Sequence, residues 1–231
     1  STLMRSSAAS DVYKRQETGD GMNANEDAAP KAGTQYTDTK TKAVYRIKNP
    51  GRKNGTVEYV KSTNKNTTKI TIPATVTLEN ITYKVTDVAA NAFKGNKKIT
   101  KVTIGSSVTA IGKNAFSGCS RLTTVTVGRN VKTIGAGAFS KCSKLKTVNM
   151  GVNVTAINAK AFYKCTALTK LTIPAKVNKI GPSAFYGCKK LKNLTIKSKH
   201  LTSKNVGKKA FSGIYPKAKI KVPASKKKSY K

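Results

Sequence analysis

Four cysteines, Cys119, Cys142, Cys165 and Cys188, stand 23 residues apart, and the one histidine of the chain, His200, follows them. Thiolates and imidazoles bind zinc and serve as nucleophiles and bases, so their spacing decides what chemistry is open to them. A zinc site needs ligands that converge on one point, commonly as cysteine pairs about two to four residues apart, and an interval of 23 offers none. His200 falls in an irregular lysine-rich segment and reads as a surface side chain. After Asp87 there is no aspartate or glutamate. That stretch therefore holds no paired carboxylates, no Ser-His-Asp triad and no oxygen-rich site for Mg²⁺ or Ca²⁺. The glycines form no G-x-x-x-x-G-K-S/T phosphate loop. We expect no catalytic residue, no cofactor and no metal. The cysteines read instead as a buried ladder of free thiols, one per repeat, each a small apolar filler.

The elements that must hold them share the same interval. Phe93, Phe116, Phe139, Phe162 and Phe185 are 23 residues apart, each preceded by alanine, and a sixth copy, Ala210-Phe211, follows after 26. A period in the twenties marks a solenoid, whose coils cannot bury an apolar face alone. Residues 108 to 130, VTAIGKNAFSGCSRLTTVTVGRN, give the pattern of one coil. The alternation from Leu122 to Val127 predicts a short strand, and stacked coils place such strands side by side and parallel. Val125 and Val127 then point inward, with Val102/Ile104, Val148/Met150, Leu171/Ile173, Leu194/Ile196 and Ile220/Val222 as counterparts. Gly112, Gly135, Gly181 and Gly207 share a column with Asn158, and Ala89 stands there in the first coil. Gly and Asn tolerate positive φ, so this column is read as a left-handed corner. The phenylalanines supply the bulk of each core layer.

This pattern resembles the BspA-type leucine-rich repeats of bacterial surface proteins. The matching residues are the strand LTTVTVG, the return VKTIGAGAF and the cysteine three residues ahead of each leucine, over about residues 70 to 223. Asn96 and Ile214 replace cysteine at the two ends, and the last coil carries an insertion near KSKHLTSKN. The resemblance implies a right-handed arc with a parallel sheet on its concave face and short turns or 3₁₀ segments outside. It also implies an extracellular or cell-surface location.

Along the chain, residues 1–16 read as an adapter- or vector-derived lead and 17–42 as a small, polar, disordered linker. Strand-like pieces divided by turn residues make 43–72 a β-rich N-terminal cap, which covers the apolar end of the first coil. Residues 73–223 form the solenoid, with five regular coils and one irregular terminal coil, and 224–231 a basic tail. No apolar run approaches the roughly 18 residues of a membrane-spanning helix.

Charge points to function. The formal net charge is +36, and residues 88 to 231 hold 31 of the 45 basic side chains but none of the nine acids. On the concave sheet the outward positions are Lys101, Thr103, Thr124, Thr126, Thr147, Asn149, Lys170, Thr172, Asn193, Thr195, Lys219 and Lys221. This threonine lawn with lysines toward its ends is the candidate ligand surface; the alternative is a merely soluble strand face. Three functions fit: a non-enzymatic surface or adhesion module, a nucleic-acid binder, or a spacer attached to an enzyme. The first takes anionic cell-wall or host glycans, or host surface proteins, as partners and acts as a monomer. The second is limited to non-specific attraction, because only six of the basic residues are Arg and base readout leans on bidentate Arg.

Overall fold

The computed structural model describes residues 30–226. The lead, half of the linker and most of the basic tail therefore lie outside the described residues. Six strands come first: β1 (Gln35–Asp38), β2 (Ala43–Asn49), β3 (Thr56–Ser62), β4 (Lys69–Ile72), β5 (Thr75–Leu78) and β6 (Ile81–Val88). The coils then alternate a front strand with a two-residue flank strand. These are β7 (Lys101–Ile104), β8 (Ala110–Ile111), β9 (Thr124–Thr126), β10 (Thr133–Ile134), β11 (Thr147–Asn149), β12 (Ala156–Ile157), β13 (Lys170–Ile173) and β14 (Lys179–Ile180). The last two strands, β15 (Asn193–Ile196) and β16 (Lys219–Lys221), complete the front series. There is no α-helix among the described residues.

The chain is a mostly-β solenoid of about 23-residue coils with parallel sheets, as the spacing predicts. The N-terminal strands are continuous with its sheets. β1, β2 and β3 form an antiparallel ribbon, β3 runs parallel to β6, and β6 continues through β8, β10 and β12 to β14 as one flank sheet. The front sheet starts earlier than the repeats suggest, at β4, which pairs in parallel with β7. β1 lies inside the stretch read as disordered linker. Its residues alternate exposed and half-buried, and Tyr36 packs against the core, so four residues of that stretch are ordered as an edge strand.

One aromatic column runs the length of the core. Tyr59, Phe93, Phe116, Phe139, Phe162, Phe185 and Phe211 stack with ring centroids 5.0–5.6 Å apart. The first ring comes from β3, so the N-terminal strands and the coils share one core. The inward positions of the front strands are buried as expected, with three exceptions, of which Val222 is one, half-buried just past the end of the last strand. Met150 is half-exposed, and Ile220 is 51% exposed because β16 has a neighbour only on its β15 side among the described residues.

The glycine column has a different cause from the one read in the sequence. Gly112, Gly135, Gly181 and Gly207 do not adopt positive φ; a Cβ there would lie 2.3–2.6 Å from backbone atoms of the preceding coil. They are glycine because the coils touch. Asn158 in the same column donates its N–H to Ile134 O at 3.0 Å, against 2.7–2.8 Å for the four glycines, so the coil step opens where a side chain must fit. The left-handed residues lie on either side of each Ala-Phe pair. Asn91, Asn114, Gly137, Lys160, Ser183 and Lys209 precede it, and Gly95, Gly118, Lys141, Lys164, Gly187 and Gly213 follow.

Candidate functional site

The front sheet is built so that its odd and even residues part company. Val102, Val125 and Val148 stack inward, while Lys101, Thr124 and Thr147 stand side by side outward, as do Thr103, Thr126 and Asn149. A second block aligns Lys170 with Asn193 and Lys219, and Thr172 with Thr195 and Lys221. All twelve residues singled out in the sequence are half-buried or exposed on this face. β4 adds Lys69 and Thr71, in register with Lys101 and Thr103. The sequence carries a signal for them, since KITIPA at 69–74 repeats as KLTIPA at 170–175.

The two blocks do not join. β11 and β13 are not paired, and no backbone hydrogen bond links Thr169 to Lys146 among the described residues, although Lys146 and Lys192 each bond to the threonine of the preceding coil. Pro174 supplies the reason. Gly105, Gly128 and Gly151 occupy its position in the earlier coils, where a Cβ would come within 2.2–2.6 Å of a carbonyl of the preceding coil. Proline brings a ring to that tight place. The gap opens into a cavity of about 570 Å³ that extends to β15 and is lined by Met150, Leu171, Pro174 and Ala175 together with Lys170 and Lys197. Val152 beside it is 66% exposed.

The cysteines are free and fully buried. They are not inert filler alone. Each thiol donates to the phenylalanine carbonyl of the preceding coil, Cys119 to Phe93 O, Cys142 to Phe116 O, Cys165 to Phe139 O and Cys188 to Phe162 O, at 3.1–3.3 Å. Burial pushes the Cys119 and Cys188 thiols up to about 12 and raises Cys142 and Cys165 as well, so the reactive thiolate is suppressed. At pH 8 a thiol probe is expected to label none of the four in native protein and all four after unfolding. A Cys142–Cys165 bridge in freshly purified protein, found by mass spectrometry, contradicts this. Cys142→Ser is expected to cost about 0.5–3 kcal/mol and leave ligand binding unchanged.

His200 is exposed in the insertion. There Asn205 accepts from Thr202 N and donates to His200 O, fixing the loop. Tyr163 and Tyr186, two turn residues, stack half-buried at 5.4 Å with the Lys164 ammonium 5.3 Å from the Tyr163 ring centroid. The ion pairs among the described residues, Arg46–Glu58 and Lys48–Asp87, both lie in the N-terminal part.

The description "BspA type Leucine rich repeat region", in six copies, matches residues 60–171 and 155–231. The chain belongs to the BspA-type leucine-rich-repeat family. Similar solved structures agree. A leucine-rich repeat protein from Bacteroides ovatus is 30% identical with a TM-score of 0.56, covering 65% of this chain and 45% of its own. The chain thus spans less than half of that relative. The T. pallidum leucine-rich repeat protein (20% identity, TM-score 0.61, 84% of this chain and 94% of that one) shares the fold. So does the pneumococcal vaccine antigen PcpA (19%, 0.53, 85% and 72%). No curated protein matches. BspA-type coils are a repeat scaffold, and in this chain no helix among the described residues is long and apolar enough to cross a membrane.

Proposed function

We propose that this BspA-type chain is a non-enzymatic interaction module, extracellular or at the cell surface. Its partners are anionic glycopolymers or surface proteins. Membership of the BspA-type family supports this location. The partner chemistry rests on one observation: the coils after Asp87 present lysine and threonine outward and carry no acid to neutralise them, so their counter-charge must come from outside. Nucleic acid meets the same charge, yet 39 lysines against six arginines suit diffuse contact rather than base readout.

The test is thermal. Like-charge repulsion lowers stability in low salt, and a polyanion that binds the folded state raises it by mass action. Dextran sulfate and polyphosphate are expected to raise the Tm in low salt, and roughly 300 mM NaCl to remove most of the binding. Replacing Lys101, Lys170, Lys219 and Lys221 together by Gln is expected to weaken binding more than replacing the tail residues Lys226, Lys227, Lys228 and Lys231. A larger effect from the tail moves the site off the front face. Equal binding of neutral dextran at high salt ends the polyanion reading.

A further inference from the structure

A second cleft follows the edge where each front strand turns into the flank sheet. Its volume is about 470 Å³. Lys84, Ser107, Asn130, Asn153 and Lys176 form one wall at intervals of 23, and Lys132 stands among threonines on the other. Lysine thus recurs on the first, third and fifth coils, with neutral hydrogen-bonding side chains between. Coils stack at about the spacing of paired strands, ~4.8 Å, so the lysines are spaced by roughly 10 Å along the cleft.

The neutral positions are ordered by the wall itself. Asn153 donates to Asn130 Oδ1 at 3.4 Å and accepts from Lys176 Nζ at 2.6 Å. Thr109 and Thr155 donate to carbonyls of the preceding coil, which leaves their oxygen lone pairs available to a ligand. Asp87, bonded to Thr86 of the cleft, is paired with Lys48 at 2.6 Å and does not cancel the lysines.

We infer that this cleft is a track for an acidic polysaccharide carrying one anionic group per disaccharide. One pyranose of an extended glycan advances by about as much as one coil. A chain of alternating charged and neutral sugars therefore sets an anion beside each lysine and a hydroxylated ring beside the Ser and Asn residues between. A polymer charged on every sugar places half its anions where no cation waits, and a nucleic-acid strand, with a charge about every 3.4 Å of rise, is denser still. The inference rests on the reading that the module binds anionic glycopolymers, and adds to it a site distinct from the front sheet and a charge period.

The experiment measures binding of hyaluronate and galacturonate hexasaccharides to the full chain in low salt. The first bears a carboxylate on every second sugar, the second on every sugar. All three lysines are exposed, so Lys84→Gln/Lys132→Gln/Lys176→Gln is expected to fold with an unchanged melting profile. It should lose about tenfold in hyaluronate affinity, as three exposed charge pairs imply. The front-sheet quadruple variant should lose no more than about twofold, and wild type should prefer hyaluronate to galacturonate. If the quadruple variant loses hyaluronate and the cleft variant does not, the cleft is overturned while the polyanion reading stands. If galacturonate binds the cleft more tightly, the charge period is overturned and the groove is only a basic patch. If neither sugar binds and dextran sulfate does not either, both readings fall.

Discussion

Phe139→Ala is expected to destabilise the solenoid by about 3–5 kcal/mol, the usual cost of deleting a buried aromatic. Its ring is fully buried between Phe116 and Phe162, both at 5.3 Å, so the deletion leaves a cavity and removes two stacking contacts at once. In a solenoid those contacts are the coupling between coils, and unfolding of the variant should also become less cooperative. Thr126→Ala, on the front face, is expected to stay within about 0.5 kcal/mol. Urea unfolding followed by circular dichroism measures both. Comparable losses at the two positions would show that inward and outward columns have been exchanged.

Gly128→Ala is expected to cost about 1–3 kcal/mol through overpacking. Its added Cβ meets Gly105 O at 2.3 Å, and that oxygen belongs to the backbone, so the coils must part as they do beside Pro174. Gly118 is glycine for the other reason. Its φ is +74° and a Cβ there meets nothing closer than 3.6 Å, so Gly118→Asn should cost less than about 1 kcal/mol, since Asn tolerates the left-handed region. A larger loss at Gly118 than at Gly128 would contradict the assignment of the two kinds of glycine.

That distinction also marks where the sequence stops being legible. Period and residue type placed Phe, Cys, Leu and the strand valines correctly, because burial demands the same residue in every coil. A glycine column looks alike whether it answers to φ or to a neighbouring carbonyl, and only the distances separate the two. The true left-handed positions escaped notice because Lys160, Ser183 and Lys209 fill them as readily as Gly137 does. The front face was readable through its alternation, apart from Lys69 and Thr71, whose coil precedes the regular count. The flank cleft was not, since its walls mix Lys, Ser, Asn and Thr and become a groove only when the coils stack. The thiol hydrogen bond was also hidden, because its acceptor is a backbone carbonyl 26 residues away.

The unpaired step beside Pro174 has a mechanical meaning. The front ladder stops between β11 and β13, yet the flank ladder passes unbroken from β10 through β12 to β14, and the Ala-Phe turns stay bonded from Phe139 N to Ala161 O at 2.8 Å. The stack therefore behaves as two stiff segments on one continuous spine. A bending load that opens the front side meets no strand-to-strand hydrogen bonds between β11 and β13 and full ladders at the neighbouring steps, so strain gathers there instead of spreading along the molecule. One proline thus gives a rod of nearly identical units a single place to flex, and the width of the front surface can change without any coil unfolding.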